Sequence, residues 1–179
     1  MEMNPPHEAA LVLAKDWFRR CRESQMAHFE YGSILEKRHI LFGIPAIVLS
    51  TAVGTAVFAS WETGSTQQWH RILFGLLSIA AACMAALQTF LNLSDRAAKH
   101  KASGAAYGAV RRELELFKML PPTTDEQLRQ ELEKIKNRMD ELAASAPSIP
   151  SRHKEYIDKI IKSRLSGEIF DFSDRAKGE

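Results

Sequence analysis

Cysteine is nearly missing: two occur in 179 residues, Cys21 and Cys83. That leaves no paired-cysteine motif and no disulfide framework. A strong excess of one charge is missing too. The formal net charge is +2, with an isoelectric point near 8.6, too slight an excess to argue for nucleic acid. Catalytic signatures are also absent. No HExxH, GxSxG or phosphate-cradling glycine motif occurs. The histidines, His7, His28, His39, His70, His100 and His153, include no pair at i,i+4. The chain therefore reads as a non-enzyme, with no catalytic residue, cofactor or metal site expected. No internal repeat or low-complexity segment is present.

The most informative shortage is of charge within two particular stretches. Leu41–Ser60 (LFGIPAIVLSTAVGTAVFAS) and Ile72–Leu93 (ILFGLLSIAAACMAALQTFLNL) carry none. Each meets the length of about 20 residues that a helix needs to cross a bilayer. Only a helix satisfies its own backbone hydrogen bonds in hydrocarbon, so both are expected to be helical. A buried pair of helices in a soluble bundle is the competing reading. It would leave a wet face on each helix, whereas the polar members here are the uncharged Ser50, Thr51, Thr55, Ser78, Gln88, Thr89 and Asn92. A secretory leader fits poorly, because the first run begins near residue 40 and is longer than a signal core of about 7–15 residues.

Basic residues flank the pair on one side. Arg20, Arg22, Lys37 and Arg38 precede the first run, and Arg96, Lys99, Lys101, Arg111 and Arg112 follow the second. The connecting WETGSTQQWHR holds only Arg71, with Trp61 and Trp69 suited to an interface. Lys and Arg are retained on the cytoplasmic side, so both termini are expected there and the loop outside. Cys21 then lies in the cytoplasm and Cys83 within a span, both reduced.

The flanking segments read as helices. Glu8–His39 lacks proline and a clean apolar stripe, with an interruption expected near Gly32. Ser94–Leu120 continues the second span until Pro121 and Pro122 stop it. Its Ala98, Ala102, Ala105 and Ala109 form a small face, thickened by Leu114, Phe117 and Leu120. Thr124 is a candidate N-cap with Gln127 as its capping-box partner. Beyond it Leu128, Leu132, Ile135, Met139 and Leu142 form a short heptad seam, too short for a free-standing coiled coil. A last amphipathic helix follows Ser151, with Tyr156, Ile157, Ile160, Ile161 and Leu165 beside Lys154, Lys159, Lys162 and Arg164. It suits either a place on the bundle or the inner membrane surface.

The expected fold is thus an all-α membrane protein, a two-helix transmembrane hairpin whose long flanking cytoplasmic helices form a bundle. Its expected segments are 1–39 (N-terminal helix), 40–60 (first span), 61–71 (external loop), 72–94 (second span), 95–120 (helical extension) and 121–179 (C-terminal helices).

Two small-residue faces, Ala46/Ser50/Gly54 and Ser78/Ala82/Ala86, permit close helix approach in lipid. They either zip the hairpin or join neighbouring subunits. Small and hydroxyl-bearing residues, including Thr55 and Thr89, would suit a lining if several hairpins surround an axis. Gln88 is the most polar residue deep in either span. Its amide is a candidate partner for the backbone carbonyl that Pro45 releases, or for a polar ring between subunits. His39 and His100 flank the inner ends of the spans and are expected to be neighbours, in structural or pH-responsive roles.

At these residues the chain resembles a known family. The set Pro45, Ser50, Gly54, Thr55 and Phe58, followed by Gln88, Thr89, Phe90, Leu91, Asn92, Arg96 and His100, is similar to the SLATT family, the SMODS and SLOG-associating two-transmembrane effector domains of bacteria. The resemblance covers both spans and the start of the following helix. It implies an oligomeric inner-membrane effector of an anti-phage or conflict system, which permeabilises or depolarises the membrane. The signal would come from a nucleotide second-messenger synthase or a SLOG-type nucleotide-binding partner. No such domain is recognisable in this chain, so the signal must arrive through a partner or a ligand, for which Lys99, Lys101, Arg111 and Arg112 are candidate anion contacts. The alternative is a non-conducting anchor or scaffold that recruits a soluble partner.

Overall fold

The computed structural model describes residues 5–63 and 68–167. Every regular element in them is an α-helix: α1 (Pro5–Thr63), α2 (Gln68–Leu91), α3 (Leu93–Met119), α4 (Asp125–Ser145) and α5 (Ser151–Gly167). Residues 64–67 of the expected external loop, and the tail from 168 on, lie outside the described residues. The interruption expected near Gly32 does not occur. A glycine inside a helix costs only about 1 kcal/mol against alanine, and here the residue is buried within α1. The opposite correction applies at the end of the second apolar run. There the expected continuous helix is broken at Asn92, whose φ of 43° is left-handed. Asparagine tolerates that region because its short polar side chain can bond locally. The Asn92 carbonyl still accepts from the Arg96 N–H at 3.1 Å, so α3 begins at once.

The chain divides into two compact units, residues 1–31 with 99–179, and residues 32–98. The first is a helical bundle contributed by α1, α3, α4 and α5. From α1 it buries Ala10, Ala14, Cys21, His28 and Tyr31, with Trp17 and Phe18 packed at the margin. From α3 it buries His100, Tyr107, Val110, Leu114 and Phe117. The heptad seam of α4 folds onto this core: Leu128 and Ile135 are buried, and Leu132, Met139 and Leu142 pack beside them. α5 adds Ile157 and Ile161, while Tyr156 stays exposed. Fully burying one such side chain is worth about 1.5–3 kcal/mol.

The alanine face expected on α3 does not make the contact. Ala98, Ala102 and Ala105 are exposed, Ala109 is half-buried and Leu120 is exposed. The close approach falls on two glycines instead. A Cβ added at Gly104 would come within 3.2 Å of Phe29 and 3.3 Å of the Gln25 carbonyl oxygen, and one at Gly108 within 2.9 Å of Gln25 Nε2. A methyl at Gly104 would need its neighbours to give by a few tenths of an ångström, and one at Gly108 would need the end of the Gln25 side chain to move. At the start of α1, His7 Nε2 donates to the Pro122 carbonyl at 2.9 Å and fastens it to the turn before α4. Thr124 does occupy the N-cap of α4, but its side chain makes no cap bond. Its hydroxyl donates to Gln127 Oε1 at 3.3 Å instead. Arg138 reaches Glu113 from α4 to α3, an exposed pair worth at most about 1 kcal/mol.

The second unit pairs residues 32–63 of α1 with α2. The partly or fully buried positions of α2 are His70, Phe74, Leu77, Ala81, Met84, Gln88 and Leu91, and those of α1 include His39, Phe42, Ala46, Leu49, Val53 and Ala56. Both sets alternate steps of three and four, the spacing of knobs-into-holes packing. The remaining surface is strongly apolar: Ile40, Leu41, Ile44, Ile47, Val48, Val57, Phe58, Ile72, Leu76, Ile79 and Phe90 are all at least half exposed. α1 and α2 each contain a window apolar and long enough to cross a membrane. Only 11 % of the window in the first and 6 % of that in the second is buried by the chain itself.

Candidate functional site

The sequence offers two groups of candidate residues, and the structure distributes them unequally. In the second unit Ala46 is buried and belongs to the seam between α1 and α2. Ser50 is exposed, and Gly54 is half-buried with nothing within 4 Å of an added Cβ. Ser78, Ala82 and Ala86 are all exposed. The small faces therefore do not zip the two helices together. The seam that does so combines larger side chains with Ala46, Ala56 and Ala81, and of the expected small faces Ser50, Ser78, Ala82 and Ala86 are exposed.

Thr55 and Thr89 are exposed but spend their hydroxyl protons locally. Thr55 Oγ1 donates to the Thr51 carbonyl at 2.9 Å, and Thr89 Oγ1 to that of Ala85 at 3.1 Å. Thr51 does the same to Ile47 at 2.8 Å. Such bonds to residue i−4 let a hydroxyl sit in an apolar setting without an unpaired donor.

Gln88 takes a partner other than the carbonyl released by Pro45. Its Nε2 lies 3.3 Å from Nδ1 and 3.4 Å from Nε2 of His39, and donates to whichever ring nitrogen is unprotonated. The side chain crosses to α1 because Gly43 leaves it space, with Nε2 only 2.8 Å from where a Cβ would stand. Gln88, His39 and Gly43 thus form one polar contact inside an otherwise apolar seam. Pro45 is half-buried next to it.

In the first unit His100 is 2 % exposed and faces His28, with the two Nδ1 atoms 3.1 Å apart. The expected pairing of His39 with His100 thus gives way to separate partners, Gln88 for one and His28 for the other. Three further rings surround the pair. Tyr31 meets His100 edge-on at 4.7 Å between centroids, Tyr107 stacks on His28 at 5.7 Å, and His153 of α5 lies 5.3 Å from Tyr31. Burial lowers the proton affinity of His28 below the ordinary imidazole value. Burial also raises the Tyr107 hydroxyl, with Cys21 adding to the rise, and pushes Cys21 itself up to about 11. The Cys21 thiol is therefore protonated and unreactive at neutral pH.

The candidate anion contacts do not gather around a common point. Arg111 is half-buried with Nε 3.8 Å from Glu115. Lys101 is half-buried, and Arg96, Lys99 and Arg112 are exposed. Among the described residues no group of three or more His, Cys, Asp or Glu is placed to hold a metal ion. The ring cluster was missed in the sequence because its members looked like isolated polar residues. The signal was a spacing of seven: Cys21, His28 and Leu35 on α1, and Leu93, His100, Tyr107 and Leu114 on α3. No protein-family model, curated protein or solved structure matches this chain.

Proposed function

We propose that the chain is a two-span membrane protein of the SLATT type, an oligomeric effector that depolarises a bacterial inner membrane when a partner signals to it. The observation that carries the membrane reading is the exposure of the two apolar windows, of which only 11 % and 6 % are buried. A soluble bundle would bury such surface, since exposed apolar patches of this extent associate or aggregate in water. The basic flanks favour both termini in the cytoplasm, with the first unit facing the same side. The signal would come from a nucleotide second-messenger synthase or a SLOG-type partner, as the resemblance implies. Conduction needs more than two helices, so the reading requires a homo-oligomer.

Orientation is tested by single cysteines at positions 65 and 145 in a chain lacking Cys21 and Cys83. In intact spheroplasts an impermeant thiol reagent should label position 65 and spare position 145; the reverse pattern overturns the orientation. Assembly is tested at the outward small faces. Gly54→Leu and Ala82→Leu are expected to leave each hairpin intact, because Gly54 has open space and Ala82 is exposed. They should still weaken subunit association, lowering the oligomer fraction in crosslinking or native mass spectrometry. A protein that is monomeric in lipid, with or without these changes, removes the conducting reading and leaves the scaffold. Reconstitution with the signalling partner then decides function: ion leak from liposomes is expected, and growth arrest that needs a soluble partner but no leak would favour the scaffold.

A further inference from the structure

We propose that the His28–His100 contact is an acid-sensitive clasp between α1 and α3, a regulatory device internal to the first unit. Its use as a gate rests on the membrane-effector reading, but the clasp itself stands on the packing of this unit alone.

A contact between two Nδ1 atoms at 3.1 Å has room for one proton between them. One ring must carry its proton on Nδ1 and donate; the other must be neutral and offer a lone pair there. A second proton between these two atoms removes the acceptor, sets N–H against N–H and makes one of the buried rings an imidazolium. The surroundings make that costly. His28 and His100 are 7 % and 2 % exposed, so water is poorly placed to solvate the added charge. The titratable rings packed on them include Tyr31 from α1, Tyr107 from α3 with Cys21 behind it, and His153 from α5 by way of Tyr31. Burial holds the Tyr107 hydroxyl and the Cys21 thiol neutral near pH 6, so neither offsets an added positive charge.

The sign follows from the lowered proton affinity of His28. Opened, this ring binds a proton near its ordinary value of 6.5; closed, it binds one only at lower pH. Closure is therefore fully stable above about pH 6.5, weakens as pH falls below it, and stops weakening once the closed form also titrates. Each pH unit within that window favours opening about tenfold per proton taken up. The close glycine contacts at Gly104 and Gly108 lie one and two turns along α3 from His100, so opening the clasp unseats the tightest approach of the two helices.

Cys21, fully buried two turns from His28, reports such opening in the full chain. In a Cys83→Ser background in nanodiscs, its labelling by 4,4′-dithiodipyridine is measured at pH 7.5 and 5.5. Each rate is divided by that of the same chain in denaturant. The normalised rate is expected to rise at pH 5.5, by up to about tenfold for each proton that opening takes up. With both His28→Asn and His100→Asn, which keep a polar atom near each Nδ1 but cannot titrate, the rise should fall below about twofold. A flat wild-type response overturns the clasp, as does an undiminished rise in the double variant. Ring ¹⁵N spectra of the wild type give a second check that needs no substitution: one Nδ1–H and one bare Nδ1 are expected at pH 7.5, and two bare Nδ1 atoms would refute the shared proton. Failure of these tests leaves the liposome leak untouched, and absence of a leak leaves the clasp untouched.

Discussion

Val110→Asp is expected to unfold the first unit and, in an effector held closed by that unit, to depolarise the membrane without any trigger. Val110 is fully buried beside Leu114, Tyr107 and Cys21 in the core shared by α1, α3 and α4. An unpaired carboxylate there costs several kcal/mol, a large part of the roughly 5–15 kcal/mol that holds a domain together. Leu114→Ala, at about 2–5 kcal/mol, should give an intermediate result. The seam between α1 and α2 has its own contacts, so membrane insertion should survive. Limited proteolysis should release the α4–α5 region, and a potential-sensitive dye should show collapse before lysis. A normal potential at wild-type membrane abundance would mean that the first unit does not restrain the hairpins.

Gln88→Glu is expected to have the largest effect of any single change in the second unit, and Gln88→Leu one of the smallest. The amide faces α1 and meets His39, so its role lies inside the pair rather than on the outward surface. Replacing it with leucine removes one long hydrogen bond, of a kind that averages about 0.6 kcal/mol in membrane helices. Flux and assembly should change little. Glutamate places a carboxylate in the same seam, where it must either take up a proton or pair with a charged His39 imidazole. Liposomes carrying equal amounts of assembled protein should therefore show a pH dependence of flux different from that of wild type, altered on the order of tenfold across one pH unit. His39→Ala in the same background should remove the ion-pair route. Equal flux and equal pH response in all variants would place the seam outside the conducting machinery.

The parts of the fold that the sequence made legible are those set by period and by absolute shortage of charge. The two apolar runs stood out because they contain no Lys, Arg, Asp or Glu at all. The α4 seam stood out because Leu128, Leu132, Ile135, Met139 and Leu142 are uniformly apolar. The N-terminal part of α1 did not, although its buried Ala10, Ala14, Cys21, His28, Tyr31 and Leu35 are spaced by three, four or seven. Cysteine, histidine and tyrosine occupy the buried line, and a search for aliphatic side chains passes over them. The alanine face of α3 misled for a related reason. Small residues permit close approach but do not compel it, and here Gly104 and Gly108 permit it better. The polar site in the apolar pair was half legible. Gln88 was identified from its depth, whereas its partner depended on the empty position at Gly43, which no pattern of side chains reveals.

The threonine bonds of the apolar unit have a chemical consequence. Thr51, Thr55 and Thr89 turn their protons inward to carbonyls of their own helices, and all three are exposed. What each presents outward is oxygen lone pairs alone. A surface of that kind accepts but does not donate: it can take the place of water around a cation, as carbonyl oxygens do in cation-selective filters, and offers an anion nothing to replace the hydrogens it would leave behind.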